Sequence, residues 1–146
     1  VALEQGAAKV IAVDVGTQQM VGSLRKNTAV ELHEKTDIRD FETSEEVDLV
    51  LIDVSFISMS KVLPAVEKLI KPGSQIIAML KPQFEVDPSS KHKGVVKNSK
   101  MRRQAIKNFE LWLKDHSSLQ IKNKVDSDVP GAKGNVEKFY LLVKPV

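Results

Sequence analysis

The amino-acid sequence predicts an α/β fold, a mostly parallel sheet with helices on both faces, finished by an antiparallel strand. Three observations carry that prediction. Strand-like apolar runs alternate with helix-like stretches as far as Asp115, the pattern of βα units that builds a parallel sheet. The runs are short, rich in Val and Ile, and bounded by charges or by Gly and Pro, as buried strands are. The last two runs are joined by a turn-rich segment without a helix, so they pair antiparallel.

The elements follow in order. Lys9-Val-Ile-Ala-Val13 is a buried strand ending at Asp14, with Gly16 just beyond. Thr17 to Lys26 is read as a helix with Thr17 as its N-cap. Ala29-Val-Glu-Leu32 is a second short strand, followed by the polar stretch His33 to Asp40. Asp48-Leu-Val-Leu-Ile-Asp53 is the clearest strand, four apolar residues between two aspartates. Ser58 or Ser60 caps the next helix, where Val62, Leu63, Val66, Leu69 and Ile70 recur at helical spacing, and Lys71-Pro-Gly73 stops it. Gln75-Ile-Ile-Ala-Met-Leu80 is another buried strand and runs into Lys81-Pro-Gln-Phe-Glu85. A polar loop from Val86 to Asn98 leads to a helix from about Ser99 to Asp115, in which Trp112 shares the core register of Phe109. Leu119 to Val125 alternates apolar and polar residues like an edge strand. The turn-rich stretch Asp128 to Asn135 then precedes a final strand, Lys138 to Val143.

Composition narrows the class. The 146 residues suffice for one domain, and 42% hydrophobic with 28% charged residues is ordinary for a globular protein. There is no cysteine, which excludes disulfides and thiolate metal sites and fits a reducing cytoplasm. No apolar run approaches the ~20 residues of a membrane-spanning helix. The opening Val1 to Gly6 has neither a basic leader nor an apolar core, so a signal peptide is not expected. The net charge of +3 permits a polyanionic partner without requiring one.

Ligands of an open α/β sheet bind at the carboxyl ends of its strands. Asp14, Asp53 and Lys81 fall there. Asp14 is placed either to accept hydrogen bonds from a ribose diol or simply to start a turn. Asp53 and Lys81 end strongly apolar strands, and neighbouring strands lie about 4.8 Å apart, so the two can touch. That contact serves either a site or a structural ion pair. Phe84 either stacks on a base or covers the core. The basic stretch Lys91, Lys93, Lys97, Lys100, Arg102 and Arg103 is either a phosphate-binding surface or a solvated face. The four methionines form no stripe of the kind that lines a cofactor.

Four strings, taken jointly and in order, carry a resemblance: Asp53-Val-Ser-Phe-Ile-Ser58, Lys81-Pro-Gln-Phe-Glu85, Lys93-Gly-Val-Val96 and Pro130-Gly-Ala-Lys-Gly-Asn-Val-Glu137. Together with Ala7-Ala-Lys-Val-Ile-Ala-Val-Asp-Val-Gly16 they resemble the haemolysin A (TlyA) family, a branch of the FtsJ-like RNA ribose 2′-O-methyltransferases. The resemblance implies a class I S-adenosylmethionine-dependent methyltransferase sheet, Rossmann-like, with seven strands in the order 3-2-1-4-5-7-6. It implies a Lys-Asp-Lys-Glu catalytic set, of which Asp53, Lys81 and Glu137 match the last three members. It implies that Asp14, with Val15, holds the cofactor ribose, that Asp37 and Ile38 lie against its adenine, and that Asp53 also borders it. The cofactor is S-adenosyl-L-methionine, the partner is ribosomal RNA or a ribosomal subunit, and neither metal nor membrane is involved. Lys91, Lys93, Lys97, Arg102 and Arg103 are the expected RNA contacts.

Those groups suit the reaction. Methyl transfer from a sulfonium to a ribose hydroxyl is an in-line displacement whose main demands are alignment and removal of the hydroxyl proton. A lysine takes a proton only if its pKa falls from ~10.4 towards ~7–8, and a neighbouring carboxylate opposes that fall. Lys81 is therefore expected to polarise or deprotonate the 2′-OH, with Asp53 orienting it and Glu137 completing the hydrogen-bond frame.

The family's glycine-rich cofactor loop, first strand, first catalytic Lys and S4-type RNA-binding domain have no match here and would precede Val1. The expectation is one methyltransferase domain over 1–146, incomplete at its N-terminus. In the family order the missing strand lies between those ending at Asp14 and Asp53. Unpaired buried amides cost roughly 1–3 kcal/mol each against a total stability of ~5–15 kcal/mol, so this stretch is not expected to fold or catalyse alone. The alternative function is a non-catalytic RNA-associated module that keeps the fold without a competent cofactor site. A nicotinamide-binding domain shares the topology but leaves Asp53, Lys81 and Glu137 unexplained, and a haemolytic toxin rests on the family's name alone.

Overall fold

The structure is a computed structural model that describes residues 1–86, 96, 98–131 and 133–146. The chain divides into two compact units, Val1–Thr43 and Ser44–Val146.

The first unit holds two parallel strands, β1 (Val10–Val13) and β2 (Val30–His33), in the register Val10↔Val30 to Val13↔His33. Between them the helix expected over 17–26 shrinks to one turn, α1 (Gly22–Arg25), with Val21 at its N-cap position instead of Thr17. The cause is Glu34. Its carboxylate accepts the Gln18 N–H at 2.6 Å and takes both Arg25 guanidinium nitrogens at 2.6 and 2.8 Å. Gln18 is drawn into the left-handed region, φ 57°, where a helix cannot continue.

The second unit is built on four strands in the order β3-β4-β6-β5. They are β3 (Val47–Ile52), β4 (Ile70–Leu80), β5 (Gln120–Asp126) and β6 (Lys138–Val143). β3 and β4 are parallel, whereas β6 runs antiparallel to both β4 and β5, as the missing crossover helix requires. In the numbering of the resemblance these are strands 4-5-7-6, and β2 and β1 are strands 3-2. Among the described residues no ladder joins β1 to β3.

The helices are α2 (Met59–Leu69) and α3 (Ser99–His116), each begun by a side-chain cap. Ser58 Oγ accepts the Ser60 N–H at 3.2 Å, and Asn98 Oδ1 accepts the Lys100 N–H at 2.8 Å. Met59, Val62, Leu63 and Val66 are buried at the i, i+3, i+4, i+7 spacing of one helical face, and Ala105, Phe109 and Leu113 on α3 recur at i, i+4, i+8 along one face. These stripes meet the sheet face formed by Ile76, Ala78, Leu80, Tyr140 and Leu142, where the Phe109 and Tyr140 rings contact edge-on at 5.2 Å. Trp112 lies at the margin of this core, half-buried rather than enclosed.

Lys71-Pro72-Gly73 does not separate helix from strand as expected. β4 starts directly after α2, and the three residues form its bulged beginning, with the register against β3 shifting between Val47 and Leu49. Gly73, at φ 87°, donates its N–H to Lys144 O at 2.8 Å, and Lys144 Nζ reaches Glu67 O and Ile70 O at the end of α2. Helices were expected on both faces of the sheet. Within this unit both pack on one, and Leu49, Leu51 and Ile77 on the other are 47%, 54% and 39% exposed.

This asymmetry is testable. Leu63→Ala empties a fully enclosed position and is expected to lower the unfolding free energy by about 2–5 kcal/mol. Leu49→Ala, on the open face, is expected to change it by no more than about 0.5 kcal/mol. Urea unfolding of the two variants beside the parent, each in the whole protein, reads both values.

Candidate functional site

The carboxyl ends of β3 and β4 meet because the strands are parallel and adjacent, with Ile52 paired to Ala78. Asp53 is the first residue after β3 and Lys81 the first after β4. Pro82 ends β4 there, since it has no N–H to continue a ladder and opens a one-turn 3₁₀ helix over Pro82–Phe84. Lys81 Nζ lies 2.7 Å from Asp53 Oδ1 and donates to Ser55 Oγ at 3.0 Å. The lysine side chain is 14% exposed and the aspartate 68%, so the cation is set into the sheet edge and the carboxylate faces solvent.

Glu137 reaches the same edge from the other side of β4. The antiparallel register pairs Leu80 with Lys138, so Glu137, one residue earlier on the β6 side, stands opposite Lys81. The residue is buried, 8% exposed, and its carbonyl accepts the Ser127 N–H at 2.9 Å. Gly131 lets the preceding turn close on it, because a Cβ there would come within 2.8 Å of Glu137 Oε1. Asn135 anchors that turn by accepting the Val96 N–H at 2.8 Å on its Oδ1. The structure thus brings Asp53, Lys81 and Glu137 to one edge.

Three neighbours went unnoticed in the sequence. Ser55 is the second partner of Lys81. Phe56 has φ 63° and is 91% exposed, its ring 5.1 Å from that of Phe84. Glu85 accepts the Ser58 hydroxyl and the Met59 N–H, both at 2.7 Å, and burial pushes its carboxyl above the ordinary range, those two donors offsetting only part of the effect. All three lie within strings already quoted, but a left-handed Phe and a buried carboxylate leave no mark on apolar periodicity.

In the first unit, Asp14 follows β1 and its Oδ1 accepts the Gly16 N–H at 2.6 Å, closing a turn. The backbone of the same residue is pinned to the β2 side by Asp14 N–H to His33 O at 2.9 Å and Thr36 N–H to Asp14 O at 3.0 Å. Val15 is exposed and Ile38 half-buried. Asp37 takes the Arg39 side chain in a two-pronged grip, Nε to Oδ1 at 2.9 Å and Nη2 to Oδ2 at 2.6 Å, and also its N–H. Asp14 and Asp37 therefore stand at the carboxyl ends of β1 and β2.

Of the basic residues, Arg103 is exposed on α3. Arg102 is engaged within the fold, donating to Val136 O at 2.9 Å and pairing with Asp126 at 2.8 Å, the carboxylate that Lys138 also holds. Lys91, Lys93 and Lys97 lie outside the described residues. Among the described residues there is no cluster of three or more His, Asp or Glu that could hold a metal ion, and no helix is long and apolar enough to cross a membrane.

The FtsJ-like methyltransferase family model matches residues 1–144. The chain is 40% identical over 150 residues to the 23S rRNA (cytidine-2′-O)-methyltransferase TlyA of Campylobacter jejuni, covering 97% of this chain and 56% of the relative. It is 36% identical over 146 residues to the 16S/23S rRNA (cytidine-2′-O)-methyltransferase TlyA of Mycobacterium tuberculosis, covering 97% and 54%. The chain thus spans about half the length of the curated relatives it matches. A solved structure from Streptococcus thermophilus that carries the hemolysin name superposes with a TM-score of 0.91 at 34% identity, over 98% of this chain and 53% of that one. Solved methyltransferases only 14–16% identical share the α/β sheet, a likeness of fold alone.

The Arg39 side chain and N–H hold the Asp37 carboxyl down at about 2, against 3.8 unperturbed. A depressed carboxyl contributes stability that is complete above the unperturbed value and is lost as pH falls through the folded one. Stability is therefore expected to fall between about pH 4 and pH 2, and Asp37→Asn to reduce the slope in that window. Denaturant unfolding across the window checks both.

Proposed function

We propose that this chain, which belongs to the FtsJ-like methyltransferase family, forms the main part of an enzyme domain that methylates a ribose 2′-OH of ribosomal RNA. The observation that carries the reading is the Lys81–Asp53 contact at 2.7 Å, with Glu137 facing it across β4. An ion pair of purely structural value needs no second carboxylate at the same strand edge.

Within that group, Lys81 directs its amine to the 2′-OH and polarises it or takes its proton. Asp53 and Ser55 fix the amine by holding two of its hydrogen bonds, and Glu137 frames the hydroxyl from the β6 side. Positioning of this kind is worth much when the reactant is already activated. S-adenosyl-L-methionine supplies that activation, a methyl group on a positively charged sulfur. Phe56, exposed beside Ser55, offers a ring face on which an unstacked base can rest.

The first unit has donors and acceptors of the right type for parts of the cofactor. Asp14 presents a carboxylate for a ribose diol and Ile38 a half-buried apolar surface for adenine, with Val15 and Asp37 beside them. The grip of Arg39 on Asp37 leaves that carboxylate less available than the resemblance implies. Lys91, Lys93, Lys97, Arg102 and Arg103 are proposed to meet RNA phosphates, Arg103 as the freest of the two described and Arg102 only by giving up part of its hold on Asp126.

A second reading, an RNA-associated module without transfer activity, is favoured by one observation. Among the described residues no ladder joins β1 to β3, and Asp14, Val15, Asp37 and Ile38 fall in one unit while Asp53, Lys81 and Glu137 fall in the other. One experiment separates the readings. Transfer of labelled methyl from S-adenosyl-L-methionine to ribosomal RNA by the whole protein is expected, with 2′-O-methylated nucleoside as product and a loss of at least ~100-fold in Lys81→Ala. Transfer at the parental rate by that variant contradicts the first reading. Absence of transfer by the parent, with RNA still bound, supports the second.

A further inference from the structure

Two loops carry the proposed site, one from Asp53 to Ser58 between β3 and α2, the other from Lys81 to Glu85 after β4. They touch at three levels. At the sheet edge Lys81 Nζ meets Asp53 at 2.7 Å and Ser55 at 3.0 Å. Further along, the Phe56 and Phe84 rings lie 5.1 Å apart. At the far end the Glu85 carboxylate accepts the Ser58 hydroxyl on Oε2 and the Met59 N–H on Oε1, both at 2.7 Å.

The first loop does not hold its own shape. Phe56 sits at φ 63°, a region that bulky side chains avoid, and its ring is 91% exposed, so burial does not fix it. At the far end packing holds Met59, which is buried in the core, and Val54 and Ile57 are half-buried. Ser58, Ser60 and Glu85, by contrast, border a cavity of about 190 Å³ that also touches Asn108, Phe109 and Trp112, so hydrogen bonds tie the two loops together there. Glu85 is not needed to begin α2, because Ser58 Oγ already caps it by accepting the Ser60 N–H. The Ser58 proton is then committed to Glu85, and of the three contacts only the Glu85 one seizes backbone directly, through Met59 N–H.

We propose that Glu85 is a positioning residue for methyl transfer, a clamp that binds the Asp53–Ser58 loop to the Lys81–Glu85 loop so that Asp53, Ser55 and Phe56 stay presented to Lys81. The proposal rests on the transfer function assigned above. Its physical content is separate: the loop opens when the clamp is cut, whatever chemistry follows. The carboxylate is held desolvated at this corner with two short acceptor bonds, which is a costly arrangement for a group with no constraint to impose.

The test uses the whole protein with Glu85→Ala, Glu85→Gln and Ser58→Ala. Amide hydrogen exchange of Val54 to Ser58 is read against that of β4 and β6, and kcat and KM for RNA are measured on the same samples. Glu85→Ala is expected to speed exchange in 54–58 by at least ~10-fold while the strands keep their protection. It is expected to lower kcat by at least ~30-fold with KM for RNA within about threefold. Glu85→Gln keeps an acceptor for Met59 N–H and is expected to recover kcat to within about threefold, and Ser58→Ala to fall between the two. Unchanged exchange in Glu85→Ala overturns the clamp even if the parent transfers no methyl group, an outcome that sinks only the functional reading. Faster exchange with parental kcat, or a kcat loss matched by equal loss of protection in the strands, overturns the positioning role.

Discussion

β4 is bonded on both sides, in parallel to β3 and antiparallel to β6, and the candidate site depends on that double register. The parallel ladder places the residue after Ile52 beside the end of β4, which is how Asp53 meets Lys81. The antiparallel ladder places the residue before Lys138 opposite the same lysine, which is how Glu137 arrives. A slip of one residue on either side would turn Lys81 to the other face of the sheet, because side chains alternate with period two. The register is secured by burial: Ile76, Ala78 and Leu80 are fully enclosed under α2 and α3, so the alternation cannot shift without exposing them.

That arrangement also explains the electrical asymmetry of the site. Lys81 is set into the edge and Asp53 stands out into solvent, so the two partners of this ion pair differ sharply in exposure. Ser55 supplies a second acceptor, and Gly131 allows the turn before β6 to lie against the Glu137 carboxylate. Both described helices of this unit pack on one sheet face, and Leu49, Leu51 and Ile77 on the other are open among the described residues. The strand order agrees with membership of the FtsJ-like methyltransferase family, and the curated relatives the chain matches are about twice this length.

Much of this was legible in the sequence because burial writes a period. β3, β6 and the apolar stripes of α2 and α3 sit close to where Val, Ile and Leu spacing puts them, and the strand-end positions of Asp14, Asp53 and Lys81 follow. What spacing does not record is competition from tertiary partners. The helix expected from Thr17 yields to Glu34, which takes the Gln18 amide, and Lys71-Pro72-Gly73 becomes a bulged strand because Lys144 bonds it on the β6 side. Trp112 follows the register of Phe109 yet stays half-buried, beside the cavity at the start of α2. Phe56 and Glu85 were invisible for a related reason: a left-handed backbone and a desolvated carboxylate are set by their neighbours, not by their place in a pattern.

The central claim is that Lys81 and Asp53 act as one unit in methyl transfer. A double-mutant cycle with Asp53→Asn and Lys81→Met, read as kcat for 2′-O-methylation of ribosomal RNA by the whole protein, tests it most directly. Strong non-additivity is predicted, with the double variant no slower than the worse single one to within about threefold. Two losses that multiply, or a single variant that keeps the parental rate, would contradict the account.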